Sequence, residues 1–157
     1  MDLRVGIGVD AHALEEGVPL VLGGVEIDYP RGLAGHSDGD VLAHALIDAL
    51  LGAAGLGDIG SLFPSGDERL RGVSSLALLT NAYGQVKAAG FTLVNADCVL
   101  VGEEPRIASN REEMRRRLQA AIGEGEVNVR ATTMDGLGFT GRGEGLAAHA
   151  VALLEWR

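Results

Sequence analysis

Residues 145–157 read GLAAHAVALLEWR, and whether this stretch is helix or strand decides the fold. Alanine and leucine favour a helix on intrinsic propensity. Leu146, Ala148, Ala150, Ala152 and Leu154 also recur at every second position, as one face of a strand does. The residues alone leave both readings open. His149 sits inside this apolar alternation and reads as structural, and Trp156 reads as a packing residue.

Working back from this segment, a glycine-rich loop spans Asp135 to Glu144, and Val127 to Thr133 reads as a strand. Pro105 to Ile122 reads as a helix, Phe91 to Gly102 as a strand, and Ser74 to Ala89 as a helix ended by Gly90. The run from Gly57 to Gly66 is a loop. Before it, Asp38 or Asp40 caps a helix reaching about Leu56, with Val41, Ala45, Leu46, Ala49 and Leu50 on its apolar side. Pro19 to Tyr29 reads as a small hairpin turning near Gly23-Gly24. Leu3 to Val9 reads as a strand with Val5, Ile7 and Val9 on one face. No repeat or linker divides the chain, so residues 1–157 are expected to form one α+β domain.

Composition narrows the functional classes. At 157 residues, with 46% hydrophobic and 22% charged residues, the chain has the make-up of a soluble globular domain. A net charge of −9 argues against general binding to nucleic acid or to an anionic membrane. An anionic substrate must then be drawn by local devices: a metal, a few arginines, or exposed backbone N–H groups. Cys98 is the only cysteine, which rules out an internal disulfide and fits a reducing cytosol. Every apolar stretch is too short, or too interrupted by Asp48, Asp58 and glycines, to span a bilayer, and the N-terminus carries no signal pattern. A cytoplasmic location is expected.

Three of the four histidines fall in two polar segments, Asp10-Ala-His12 and His36-Ser37-Asp38-Gly39-Asp40 with His44 beyond. Neutral imidazole and carboxylate together suit a borderline divalent ion such as zinc. Asp10 and His12, an i, i+2 pair just past the end of a first strand that stops near Val9, point the same way. Asp40, His44 and Asp48 share one helix face, and any of them could complete a triad. A neighbouring carboxylate could hold the second ring nitrogen of a ligating histidine. Three protein ligands would leave an open fourth position, the mark of a catalytic site. The glycine-rich loop, with Thr140 and Arg142, offers an anion cradle, and Thr132-Thr133 could add hydroxyls. Arg115 to Arg117 lie beside Glu112 and Glu113 and read as a solvated, salt-bridged helix face.

The segments GVDAHAL, GHSDGDVLAHALIDALLGAAGLGDIGSLFP and ATTMDGLGFTGRGEG, taken in order, resemble the 2-C-methyl-D-erythritol 2,4-cyclodiphosphate synthase family nearly end to end. The resemblance implies a β-α-β-α-β-β core with a mixed four-stranded sheet covered by helices on one face, which makes residues 145–157 a strand. It implies a homotrimer with sheets packed around an axis and active sites between subunits. It also implies a cyclising, CMP-releasing phosphorus–oxygen lyase of the non-mevalonate isoprenoid pathway, acting on 4-diphosphocytidyl-2-C-methyl-D-erythritol 2-phosphate.

By the same resemblance Asp10, His12 and His44 would hold one zinc per subunit, selecting His44 and moving Asp48 behind it. His36 and Thr133 would stabilise the transition state. Asp135 would hold a magnesium or manganese ion on the diphosphate. Ser37, Asp58, Ile59, Gly60, Phe63 and Asp67 would contact the ribose and methylerythritol side, together with the metal ligands. Gly102, Pro105, Arg106, Ile107, Thr132 and Thr133 would form the cytidine-diphosphate side, given by the adjacent subunit. Phe139 and Arg142 would line the trimer's central cavity, for which a prenyl diphosphate is a candidate ligand. Three positions depart from the family's pattern. Asp135 stands where glutamate is common, Ser65 where an aspartate is often seen, and Arg106 where lysine is frequent. Two other readings share these residues: a metal-dependent phosphohydrolase in which water attacks, and a metal-stabilised trimer that binds prenyl diphosphates.

Overall fold

The computed structural model describes residues 2–157. Strand β1 (Leu3–Glu16) is followed by the β2–β3 hairpin (Leu20–Leu22, Val25–Ile27) and a short strand β4 (Arg31–Leu33). Helix α1 (Val41–Ala54), the short α2 (Ile59–Leu62), a 3-10 turn (Glu68–Leu70) and α3 (Ser75–Ala88) follow. Then come β5 (Phe91–Val101), α4 (Arg111–Ile122), β6 (Glu126–Thr132), the short α5 (Gly138–Gly141) and β7 (Gly145–Trp156). Among these residues, five strands form one sheet in the order β4-β1-β7-β5-β6, with β5 and β6 parallel and the other pairs antiparallel. No helix among the described residues is long and apolar enough to cross a membrane.

The C-terminal segment is a strand, and a central one. Its backbone pairs with β1 on one side and β5 on the other, which satisfies both rows of peptide groups. Leu146, Ala148, Ala150, Ala152 and Leu154 all face the helices and are buried. Alternation therefore outweighs alanine's helix propensity, because the pairing on both edges is tertiary and long-range.

Strand β1 inverts the simple reading of its pattern. Val5, Ile7 and Val9 are 70%, 67% and 54% exposed, on the face away from the helices. The inward positions are Gly6 and Gly8. A methyl group at either would overlap the carbonyl oxygens of Ala49 or Ala45, so α1 rests backbone to backbone on β1. The helix is fixed at its start by Asp40, whose carboxylate accepts from the N–H groups of Ala43 (3.1 Å), Gly23 (2.9 Å) and Gly24 (2.7 Å). One buried side chain thus caps α1 and pins the β2–β3 turn. The helix ends at Gly55 in the left-handed region (φ 71°).

Four expectations are corrected. The sheet has five strands, not four. Strand β4 is only three residues long, too short to show alternation, and pairs with Leu14, Glu15 and Glu16. That pairing exists because β1 runs seven residues beyond Val9, to Glu16, so Asp10 and His12 lie within the strand rather than past its end. The helix expected from Pro105 starts at Arg111; a turn closed by Asn110 N–H on the Ile107 carbonyl (2.9 Å) precedes it. The loop at residues 57–66 holds the four-residue α2, capped reciprocally by Asp58 and Ser61.

The α1–β1 seam gives a direct test. Gly8→Ala should destabilise the protein by at least about 2 kcal/mol, because the clash is with backbone that cannot turn aside. Gly52→Ala, on the exposed side of α1 with nothing nearer than 3.9 Å to the new methyl, should be neutral or stabilising by up to about 1 kcal/mol. Denaturant midpoints of the two variants check this; similar effects would refute the close-contact seam.

Candidate active site

The seam between β1 and α1 continues into the polar cluster. Asp10 and His12 are the next inward positions after Gly8, and His44 precedes Ala45 on the helix resting there. Asp10 Oδ2 lies 2.9 Å from His12 Nε2 and 3.0 Å from His44 Nδ1, and the two ring nitrogens are 3.4 Å apart. The imidazoles meet edge to face at 72°. One donor atom from each residue falls within 4.8 Å of the others. Two imidazole nitrogens and a carboxylate oxygen turned toward one point fit a divalent ion of zinc's preference. The expected triad is thus assembled.

Its electrostatics match that use. Burial raises the Asp10 carboxyl, but hydrogen bonds from His12 and His44, with their charges, prevail and bring it down to about 2. Burial acts to lower His44, but the hydrogen bond and charge of Asp10, with the charges of Asp40 and Asp38, raise it above the usual 6.5. Burial, reinforced by Asp38, pushes Asp40 up to about 6 against its three N–H donors.

The second nitrogen of His44 is held by hydroxyls, not by the carboxylates expected there. Nε2 lies 2.8 Å from Ser75 Oγ and 3.1 Å from Ser37 Oγ. Asp40 is turned to the helix cap, and Asp48 accepts the Ile59 N–H (2.7 Å), tying α2 to α1. Shared helix face did not mean shared reach, since residues four apart lie a full turn, about 6 Å, along the axis.

A cavity of about 410 Å³ opens over the cluster, walled by His12, His36, Ser37, Ile59, Gly60 and Phe63 among others. His36 Nε2 donates to the carbonyl oxygen of Asp67 (2.8 Å), which leaves Nδ1 as its free nitrogen. Asp58 and Asp67 lie outside this wall. Asp58 caps α2, and the Asp67 carboxylate is engaged by Arg69 (2.8 Å). A second cavity of about 250 Å³ is lined by all six residues expected on the cytidine-diphosphate side: Gly102, Pro105, Arg106, Ile107, Thr132 and Thr133. Within one chain, Thr133 therefore stands apart from His36.

The glycine-rich loop is more structured than its composition implied. Asp135 has positive φ (53°) and its carboxylate lies 3.5 Å from Thr133 Oγ1, while Gly136 N–H donates to Glu103 (3.0 Å). Arg142 is paired with Glu144 (3.1 Å), Thr140 is buried, and Phe139 is exposed. His149 is not a core residue: it stands exposed on the outer sheet face, in register between Val9 and Val99. Trp156 packs edge to face on Phe91 at 5.1 Å. Arg115, Arg116 and Arg117 pair with Glu112 and Glu113 as expected. Ser75 and Glu103 had no sequence signal, because their partners lie 31 and 33 residues away.

A carboxylate and two imidazoles at the floor of a cavity in an α+β sheet fold define a metal-competent domain. Comparison with known proteins gives its family: the YgbB family model matches residues 3–155, and the chain belongs to that family. A 2-C-methyl-D-erythritol 2,4-cyclodiphosphate synthase from Moorella thermoacetica is 56% identical over 154 residues, covering 97% of this chain and 94% of the relative. A CDP-bound structure of 2C-methyl-D-erythritol-2,4-cyclodiphosphate synthase superposes with a TM-score of 0.88 at 41% identity, covering 97% of this chain and all (100%) of that one. The bifunctional IspDF of Campylobacter jejuni gives a TM-score of 0.95 at 41% identity over 99% of this chain, which spans 43% of that longer protein. The family resemblance read from the three sequence segments is borne out.

The pKa directions set the pH behaviour. Uptake of a divalent metal must displace any proton on His44, so metal affinity should climb with pH through the region above 6.5, by roughly tenfold per unit where one proton is displaced. In the metal-free protein, Asp10 contributes stability that is full above 3.8 and lost as pH falls toward about 2. His44 contributes stability that is full below 6.5 and lost as pH rises through its raised value. Chelator-competition titrations at several pH values check the first expectation; a flat profile would contradict it.

Proposed function

We propose that this chain converts 4-diphosphocytidyl-2-C-methyl-D-erythritol 2-phosphate to 2-C-methyl-D-erythritol 2,4-cyclodiphosphate and CMP, in non-mevalonate isoprenoid synthesis. The observation that carries this reading is the Asp10–His12–His44 cluster under a cavity walled by His36, in a chain of this family. The reaction is intramolecular: the 2-phosphate oxygen attacks the β-phosphorus, and the bond from that phosphorus to the CMP oxygen breaks. No protein nucleophile is needed, and what the site must supply is alignment and charge neutralisation.

Asp10, His12 and His44 would hold the zinc, and Asp135 beside Thr133 would hold magnesium or manganese. Such ions would supply Lewis-acid polarisation of phosphoryl oxygens. His36, with both ring nitrogens carrying hydrogen, and the Thr133 hydroxyl donate to oxygens that gain charge as the ring closes. Ile59, Gly60 and Phe63 form a wall that orients the methylerythritol unit and keeps water from competing.

The two cavities support an active site shared between copies. Asp10, Ala148, Leu100 and Ala131 occupy one register row across four strands, and Leu100 and Ala131 line the second cavity, so that cavity lies roughly 10 to 14 Å from Asp10, two to three strand spacings. Ala148, on the strand between them, is fully buried. One diphosphate cannot touch both within a chain, whereas a neighbouring copy can bring its second cavity to the first. The exposed Val5, Ile7, Val9 and Val151 give that copy an apolar face to cover. A homotrimer packed around these sheet faces fits both observations. The lone, buried Cys98 suits the reducing cytoplasm, where we place the reaction.

Phosphorus NMR of a reaction mixture tests the chemistry: a cyclic diphosphate with CMP is expected, and release of free phosphate instead would point to hydrolysis and overturn the proposal. Thr133→Ala should lower kcat by about 10²-fold. His12→Ala should abolish turnover while light scattering still finds a trimer.

A further inference from the structure

Ser75, the first residue of α3, is fully buried and reaches the metal cluster from a separate element. Its hydroxyl carries a single proton. The Asp38 carboxylate accepts the N–H of Ser75 at Oδ2 (2.9 Å) and the N–H of Asp40 at Oδ1 (3.1 Å). Both oxygens of Asp38 are thus acceptors, and the Ser75 O–H donates to Oδ1 in a short contact. With its proton committed, Ser75 Oγ is an acceptor toward His44, 2.8 Å away. The His44 nitrogen facing it, Nε2, therefore carries hydrogen. The lone pair of the neutral ring is left on Nδ1, the atom 3.0 Å from Asp10 and 3.4 Å from His12 Nε2. Ser37 Oγ, at 3.1 Å from the same Nε2, is a more distant second acceptor and lines the open cavity.

We propose that Asp38 and Ser75 form a positioning relay that fixes His44 in the tautomer whose Nδ1 ligates the metal. The relay rests on the metal reading of the site given above. Neither residue touches the ion or substrate; each acts through His44. Outer partners of metal-bound histidines set ring orientation as well as proton position, and their loss lowers metal affinity by about 10- to 100-fold. The geometry explains why a buried serine stands at the start of α3 although Ser74 already caps that helix. It also gives Asp38 a task distinct from that of Asp40, two residues on.

The test uses the full-length protein and zinc alone. Chelator competition should give wild type one tight site, Ser75→Ala an affinity about 10- to 100-fold weaker, and Ser75→Thr, which keeps the hydroxyl, a value nearer wild type. Nitrogen-15 NMR of the zinc-loaded wild type should show the His44 proton on Nε2, slow to exchange. In Ser75→Ala that proton should exchange fast while the amide spectrum elsewhere is unchanged, a signature that simple loss of packing would not produce. Unchanged zinc affinity in Ser75→Ala, or a wild-type Nε2 proton that exchanges fast, overturns the relay while leaving the metal site standing. Wild type that takes up no zinc, or that carries the His44 proton on Nδ1 when loaded, overturns both. Should Ser75→Ala fail to fold, the exchange rate of the wild-type Nε2 proton decides alone.

Discussion

The structure depends on the contact of α1 with β1 at Gly6 and Gly8. Interdigitating side chains normally hold packed layers of secondary structure apart, as in stacked sheets about 10 Å from each other; here the strand offers hydrogens only, and the alanines at positions 45 and 49 bring their carbonyl oxygens down onto it. The small inward residues of β7, Ala148, Ala150 and Ala152, carry the same low surface to the next strand. This close seam sets the height of the helix, and the height sets the site. His44 is a short reach above the strand positions that follow Gly8, so three side chains with few rotatable bonds meet without a loop between them. Rigid elements supply the geometry, which is what a metal centre requires.

The same region holds an unusual number of acids for a buried surface, and each has a separate partner. Asp10 answers to two imidazoles, Asp38 to Ser75 and the Asp40 N–H, Asp40 to three backbone N–H groups, and Asp48 to Ile59. Their mutual repulsion is visible in the upward displacement of Asp40 and Asp48, in both of which burial leads and a neighbouring aspartate adds. A bound divalent cation would offset it. The acidic net charge of the chain is thus concentrated usefully: negative potential gathers at the cation site, while Arg106 and Arg111 line the separate cavity that would take an anion.

Much of this was legible in the sequence, and what was not has physical causes. Residue type pointed to Asp10 and His12 with His44, Asp40 or Asp48 as the third ligand, and the family resemblance selected His44, which the fold brings to the other two. Helix starts were readable where local chemistry decides them: of Asp38 and Asp40 the cap of α1 is Asp40, and Ser74 caps α3, while α1 stops at Gly55, just short of the expected Leu56. The orientation of β1 was not: alternation put Val5, Ile7 and Val9 on one face, but glycine carries no hydropathy signal to show that Gly6 and Gly8 are the positions facing the helix. Strand β4 was missed since three residues cannot show a period. The support of His44 by Ser75 is long-range, and a helix-start serine beside a capping serine gives no local sign of a second task. Spacing pointed to Asp40 and Asp48 instead because it records direction around a helix and ignores distance along it.

The exposed face of β1 and the division of the site into two cavities have a common explanation. A monomer would have reason to place Val5, Ile7 and Val9 inward and glycine outward; this chain does the opposite. The inward glycines are required by the seam that builds the metal cluster, so the apolar residues the strand needs for β propensity are left on the outer face. That face then needs covering, and on the proposed reading the Thr132–Thr133 cavity needs a metal cluster that its own chain holds on the far side of β7, beyond the buried Ala148. On the proposed reading one event, association of the sheet faces, meets both needs. Assembly would then be a condition of catalysis as well as of stability, since an isolated chain has each half of the site and no way to apply both to one diphosphate.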